Sequence, residues 1–117
     1  MQYLRHKGRT VALVEPTESV ATAQDALDRM VTARYEGGAD ALVIRRENLA
    51  EAFFDLRTGL AGEILQKFSN YQMRLAIVGD FSGYGSKALR DFIGECNRGR
   101  QVCWVPGLQA ALDALAS

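Results

Sequence analysis

The chain has 117 residues, enough for about one domain, with 48% apolar and 24% charged residues, the usage of a packed globular domain rather than a disordered or fibrous chain. Its 14 Lys and Arg balance 14 Asp and Glu, so bulk electrostatics gives no reason to expect nucleic acid or an anionic membrane as partner. No apolar run approaches the ~20 residues of a membrane-spanning helix, and no apolar stretch comes after the basic start Met1 to Gly8 as it would in a signal peptide, so a cytoplasmic chain is expected.

Gln2 to Arg5 and Thr10 to Glu15 read as two short strands around a basic turn at Lys7-Gly8. The second is almost wholly apolar, as in a strand covered on both faces, and Pro16 stops it. Thr22 and Asp25 have the spacing of a capping box, and Ala26, Leu27, Met30 and Val31 fall on one face of the helix they open. Gly37-Gly38 ends it. Ala41 to Ile44 is a third strand. Arg45 to Thr58 is irregular and contains the pair Phe53-Phe54. Thr58 is expected to cap a helix from Gly59 to about Tyr71, with Leu60, Ala61, Ile64, Leu65 and Phe68 as its buried stripe.

Arg74 to Gly79 is a fourth strand, and Ser86 caps a helix that buries Leu89, Phe92, Ile93 and Cys96 and ends before Gly99. Gln101 to Val105 is a fifth strand, and a short helix over Leu108, Ala111, Leu112 and Leu115 closes the chain. The order β-β-α-β-α-β-α-β-α predicts an α/β fold over residues 1–117. Its five-stranded mixed sheet has an antiparallel first pair, parallel strands thereafter and four main helices. No repeat or linker divides the chain.

In such sheets ligands gather outside the carboxyl ends of the parallel strands. That edge carries Arg45, Arg46, Asp55, Arg57 and Thr58 after the third strand, and Asp80, Ser82, Tyr84, Ser86 and Lys87 after the fourth. The glycine-rich turn Gly79 to Lys87 leads into a helix N-terminus. Asp80, Ser82, Gly83, Gly85, Ser86 and Lys87 are therefore candidates to hold an anion, against the plainer reading of a tight turn capped by Ser86. Gly83-x-Gly85-x-x-Ala88 lacks the acidic residue a dinucleotide site places about 20 residues on, and the P-loop spacing from Gly79 lands on Tyr84.

Catalytic readings are weaker. His6 is the one histidine and lies far along the chain from this edge, so it reads as a surface residue. Asp55 and Asp80 either face one another as paired carboxylates or serve their own turns by bonding nearby backbone N–H groups. Cys96 and Cys103 have neither zinc nor CxxC spacing and read as two thiols near the core. No metal or cofactor is expected, and the aromatic residues, with few basic neighbours, read as core rather than as a base-stacking surface.

Ala33-Arg34-Tyr35-Glu36-Gly37-Gly38-Ala39-Asp40, the run from Phe53-Phe54-Asp55 through Thr58-Gly59-Leu60-Ala61-Gly62 to Phe68, and Ala76-Ile77-Val78-Gly79-Asp80-Phe81-Ser82 resemble a bacterial domain-of-unknown-function family, family 4180. That resemblance covers nearly the whole chain and implies no activity. More distantly, Leu42-Val43-Ile44, Phe53-Phe54-Asp55, Thr58-Gly59-Leu60 and Leu75-Ala76-Ile77-Val78-Gly79 are similar to STAS domains, the sulphate-transporter and anti-sigma-factor-antagonist family. The STAS likeness implies a partner kinase that phosphorylates the hydroxyl before that glycine and so releases a partner; the hydroxyl here is that of Thr58.

The expectation is a STAS-like, non-enzymatic regulatory or protein-interaction module. Its partner surface comprises Asp55, Arg57, Thr58, Gly59 and Gly62, with Thr58 as phospho-acceptor. The partner is an unidentified protein, with a homodimer as a further possibility. The alternative is a small-ligand or phosphate-binding protein, or an enzyme, using the turn Ser82 to Lys87.

Overall fold

Residues 1–116 are described by a computed structural model. Among them the elements run β1 (Gln2–His6), β2 (Arg9–Leu13), α1 (Ala23–Gly37), β3 (Ala41–Arg45), α2 (Leu60–Asn70), β4 (Arg74–Val78), α3 (Lys87–Arg98), β5 (Val102–Val105) and α4 (Leu108–Leu115). The strands form one five-stranded sheet in the order β1-β2-β3-β4-β5, with β1 antiparallel to β2 and every later pair parallel. This is the α/β architecture the element order predicts. Strand ends differ by one or two residues: β2 stops at Leu13 rather than at Glu15, and β3 reaches Arg45. No helix among the described residues is long and apolar enough to cross a membrane.

Because strand order equals chain order, three successive right-handed crossovers move in one direction and place their helices on one face. Side chains alternate accordingly. Ala12, Val14, Leu42, Ile44, Leu75, Ile77, Val102 and Trp104 share a core with Ala26, Met30 and Ala33 of α1, Ala61, Ile64 and Phe68 of α2, and Leu89 of α3. The intervening Val11, Leu13, Ala41, Val43 and Ala76 face the other side, where Ala111, Leu112 and Leu115 of α4 cover them. Cys96 packs on the first core and Cys103 on the second, so the sheet separates the two thiols. Burial pushes both thiols above their ordinary pKa.

Local chemistry fixes the elements. Thr22 Oγ1 accepts from the Asp25 N–H (3.0 Å) and the Asp25 carboxylate accepts from the Thr22 N–H (3.2 Å), the expected capping box. Gly38, at φ 64°, ends α1. Arg74 reaches under the last helix, donating to the carbonyls of Arg100 (2.7 Å), Leu115 (3.0 Å) and Ala114 (3.1 Å), so its charge meets the negative end of α4. Tyr3 of β1 lies over the end of α1, its ring occupying the place a Cβ on Gly37 would take.

Gly37→Ala is therefore expected to destabilise the chain by about 1–3 kcal/mol, although alanine favours helix, because the ring must move. Urea unfolding checks this, and Tyr3→Ala in the same chain recovers part of the loss from the clash.

Candidate functional site

The carboxyl edge of the sheet is built from the loops after β3 and β4. The first begins with a buried polar residue. Asn48, 2% exposed, donates from Nδ2 to the carbonyls of Glu15 (2.9 Å) and Glu18 (2.8 Å), and its Oδ1 accepts from the Arg45 N–H (2.9 Å). Its own carbonyl accepts from the Val20 N–H (2.7 Å). Arg45 adds a bond from Nη1 to the Val14 carbonyl (3.1 Å). The segment between β2 and α1 and the segment after β3 are thereby sewn together, and backbone that lies away from both ladders keeps its hydrogen bonds.

Two short 3-10 turns come next, Glu51–Phe54 and Leu56–Thr58. Phe53 and Phe54 are buried and anchor them. Phe54 stacks on Tyr84 at 5.0 Å between ring centroids, and Phe81 meets Trp104 edge-on at 5.0 Å. The loop after β3, the loop after β4 and strand β5 thus share one aromatic cluster. Arg46 crosses between the loops: its Nε donates to the Tyr84 hydroxyl (3.2 Å) and its guanidinium lies 5.3 Å from the centre of that ring. Gly79 leaves room for it, since a Cβ there would stand 2.8 Å from Arg46 Cβ.

Beyond the anchors the chain turns out to solvent. Asp55 Oδ1 accepts from the Arg57 N–H (3.1 Å) and Nε (3.0 Å), and its Oδ2 from Nη2 (3.0 Å). Arg57 holds the Asp55 carboxyl below the usual aspartate range, chiefly through those side-chain bonds. Thr58 is exposed, but it does not cap α2 as expected. The Leu56–Thr58 turn closes one residue later, and Gly59 takes the N-cap position at φ 78° and ψ −4°, a left-handed conformation that glycine adopts without strain. Thr58 Oγ1 accepts from the Leu60 N–H (3.2 Å), not from Ala61 or Gly62, and shares its proton between the carbonyls of Ala52 (2.7 Å) and Asp55 (2.8 Å).

The second loop is engaged within itself. Asp80 Oδ1 accepts from both the N–H (2.9 Å) and the hydroxyl (2.6 Å) of Ser82, which lowers its pKa. Each of the two aspartates therefore serves its own turn. Ser86 caps α3 as expected, accepting from the Leu89 N–H (3.2 Å). Lys87 pairs with Asp91 (2.7 Å). Of the side chains expected to hold an anion, Asp80, Ser82 and Ser86 are thus bonded within the loop or to the start of α3 and Lys87 within α3, while Gly83 and Gly85 are exposed. His6 pairs with Arg9 in the β1–β2 register, at the opposite edge of the sheet, and bonds Asp113 of α4 (2.9 Å). Among the described residues no three His, Cys, Asp or Glu side chains converge to hold a metal.

Of the residues singled out from sequence, Asp55, Arg57, Thr58, Gly59 and Gly62 lie on one continuous turn, and Asp80 to Lys87 lie on the neighbouring loop. Asn48 and the role of Arg46 escaped the sequence reading. The tandem Arg45-Arg46 at a strand end was the one available signal for Arg46.

Asn48→Ala is expected to cost roughly 2–3 kcal/mol, since it orphans two carbonyls and an N–H. Asn48→Asp is expected to cost more, because it turns a carboxylate toward two carbonyl oxygens. Its carboxyl has a raised pKa when folded, so the folded state holds the proton longer. The stability of this variant then falls as pH rises above about 4, the direction opposite to a salt-bridged aspartate. Chemical denaturation at several pH values checks both.

No curated protein and no solved structure matches the chain, and nothing in these comparisons supports the expected likeness to STAS domains. One family model matches residues 6–115, a span that takes in the whole carboxyl edge with both of its loops. Its description is Domain of unknown function (DUF4180), in agreement with the resemblance carried by the runs at 33–40, 53–68 and 76–82, and the chain belongs to that family.

Proposed function

We propose that the chain is a non-enzymatic protein-interaction module whose partner surface is the turn Asp55 to Gly62, with Thr58 as its regulated position. The observation that carries this reading is Gly62. It stands in the first turn of α2 without a positive φ, and a Cβ there would meet nothing within 4 Å. Glycine costs a helix about 0.5–1 kcal/mol relative to alanine, and nothing within the described residues requires it. At Gly59, three residues earlier, a Cβ would likewise meet nothing within 4 Å. Bare backbone beside an exposed hydroxyl is what close approach of another chain asks for. The turn is also already formed, so a partner does not have to order it.

The regulatory half rests on the Thr58 hydroxyl. Phosphorylation would replace its one proton with an acceptor-only group of about −1.5 to −2 charges. That group would face the carbonyl oxygens of Ala52 and Asp55, which now share the proton. The turn Leu56–Thr58 would open, while Phe53 and Phe54 stay buried and keep the domain folded. Arg57, whose side chain is 91% exposed, is the adjacent cation and would exchange its Asp55 partner for the phosphate.

Gly62→Ala is expected to raise stability by about 0.5–1 kcal/mol. Gly62→Arg is expected to fold and to block the surface, and Thr58→Glu to fold and alter it, while Thr58→Ser changes neither. Quantitative capture on the immobilised chain from an extract of the source cells tests this. The proteins held by wild type and Thr58→Ser should be lost from Thr58→Glu and Gly62→Arg, with circular dichroism confirming all four folds. An unchanged set of captured proteins on Gly62→Arg contradicts the reading.

A further inference from the structure

The two edges of the sheet are closed in different ways. β1 carries charge, with Arg5 and His6 on the strand and Lys7 directly after it, a pattern that keeps an edge from pairing with another chain. β5 carries none: Val102, Cys103, Trp104 and Val105 are mostly the β-branched and aromatic residues that pair readily. In its ladder to β4, the carbonyls of Gln101 and Val105 accept from the N–H groups of Leu75 and Gly79 (both 3.0 Å). Backbone groups alternate in direction along a strand, so those of Val102 and Trp104 point away from the sheet, where a further strand would pair.

At Trp104 the place of that strand is taken by one side chain. Asn97, near the end of α3, accepts from the Trp104 N–H through Oδ1 (2.7 Å) and donates from Nδ2 to the Trp104 carbonyl (3.1 Å). A carboxamide has the donor and the acceptor of a peptide group. Here it makes the pair of bonds that a residue of an antiparallel neighbour would make. The Trp104 ring is buried and meets Phe92 of the same helix edge-on, at 6.2 Å between ring centroids, so α3 holds the strand by its backbone and by its side chain together.

We propose that Asn97 is a gate on the β5 edge: its carboxamide stands in for a neighbouring strand and keeps two copies of this chain from joining their sheets through β5. The register that the gate prevents follows from the backbone. Two β5 strands related by a two-fold axis at Cys103 pair Val102 of each copy with Trp104 of the other, through the outward groups alone. A register shifted toward the amino end of the strand needs Arg100, whose carbonyl is already bonded by Arg74 Nε (2.7 Å). One shifted toward the carboxyl end needs Pro106, which has no N–H. In the remaining register the two Cys103 residues face one another as a non-hydrogen-bonded pair. Their Cα atoms then lie about 4.5 Å apart, within the span of about 4.4–6.8 Å that a disulfide bridges. The β5 edge is separate from the turn Asp55 to Gly62, so the gate stands independently of the interaction proposed there.

Asn97→Ala in the full chain opens the gate. In sedimentation velocity over about 1–500 µM, this variant should associate at least roughly 10-fold more tightly than wild type. Treated with copper phenanthroline as a mild oxidant, it should give a disulfide-linked dimer whose link maps by mass spectrometry to Cys103 of both copies, and wild type should not. Adding Cys103→Ser should remove the link and keep the association. A second readout needs no variant to fold: in wild type the Trp104 amide, though it points outward from an edge strand, should be as protected from hydrogen exchange as that of Ile77 beside it in the ladder. An Asn97→Ala chain that keeps the wild-type circular dichroism and associates no more than wild type, a link through Cys96 in place of Cys103, or a Trp104 amide that exchanges freely would each overturn the proposal.

Discussion

The carboxyl edge depends on one carboxamide. Asn48 is buried, where an unpaired amide would be strongly destabilising. It is tolerated because both of its N–H bonds and its oxygen are used, on carbonyls of the β2–α1 connection and on the backbone at the end of β3. These groups lie where the sheet ladder gives way to loops. Two segments outside the sheet, 14–20 and 46–50, are therefore a single unit, reinforced by the bridge between Val20 and Leu49. The stretch from Glu51 to Gly62 is displayed from that fixed base.

The aromatic cluster extends the base to the next loop. Phe54 and Tyr84 stack, Trp104 contacts Phe53, Phe81 and Phe92, and Arg46 lies against Tyr84. Strands β3, β4 and β5 thus end in a common apolar mass with polar turns on its rim. Those turns use their polar groups locally: Asp55 with Arg57, Asp80 with Ser82, Ser86 with the backbone of α3. The one histidine lies at the far edge of the sheet from these turns. The Leu56–Thr58 turn is preformed, and a Cβ at Gly59 or Gly62 would meet nothing within 4 Å.

Much of the fold was legible in the residues. Continuous apolar runs such as Ala41 to Ile44 and Leu75 to Val78 mark strands covered on both faces, and Thr22-x-x-Asp25 and Ser86 name two helix starts through side-chain chemistry that acts within one turn. At Asp55 one of the two readings open from sequence, an aspartate bonding a backbone N–H of its own turn, is the one the structure shows. Other features depend on residues distant in sequence. Nothing local shows that Asn48 bonds Glu15 and Glu18, thirty or more positions away. The short 3-10 turn at Leu56–Thr58 has no periodicity to read, and missing it placed the cap of α2 on Thr58 instead of Gly59.

Native-state hydrogen exchange of individual amides tests the central claim most directly, that the edge is a fixed platform held by Asn48. The Arg45 and Val20 amides, bonded to the Asn48 side chain and carbonyl, should exchange through global unfolding alone, with the same denaturant dependence as Leu42 or Ile77 in the middle of the sheet. Exchange of Arg45 and Val20 by a low-energy opening that leaves the strands protected would contradict it, because the edge would then be a mobile loop with no fixed surface to present.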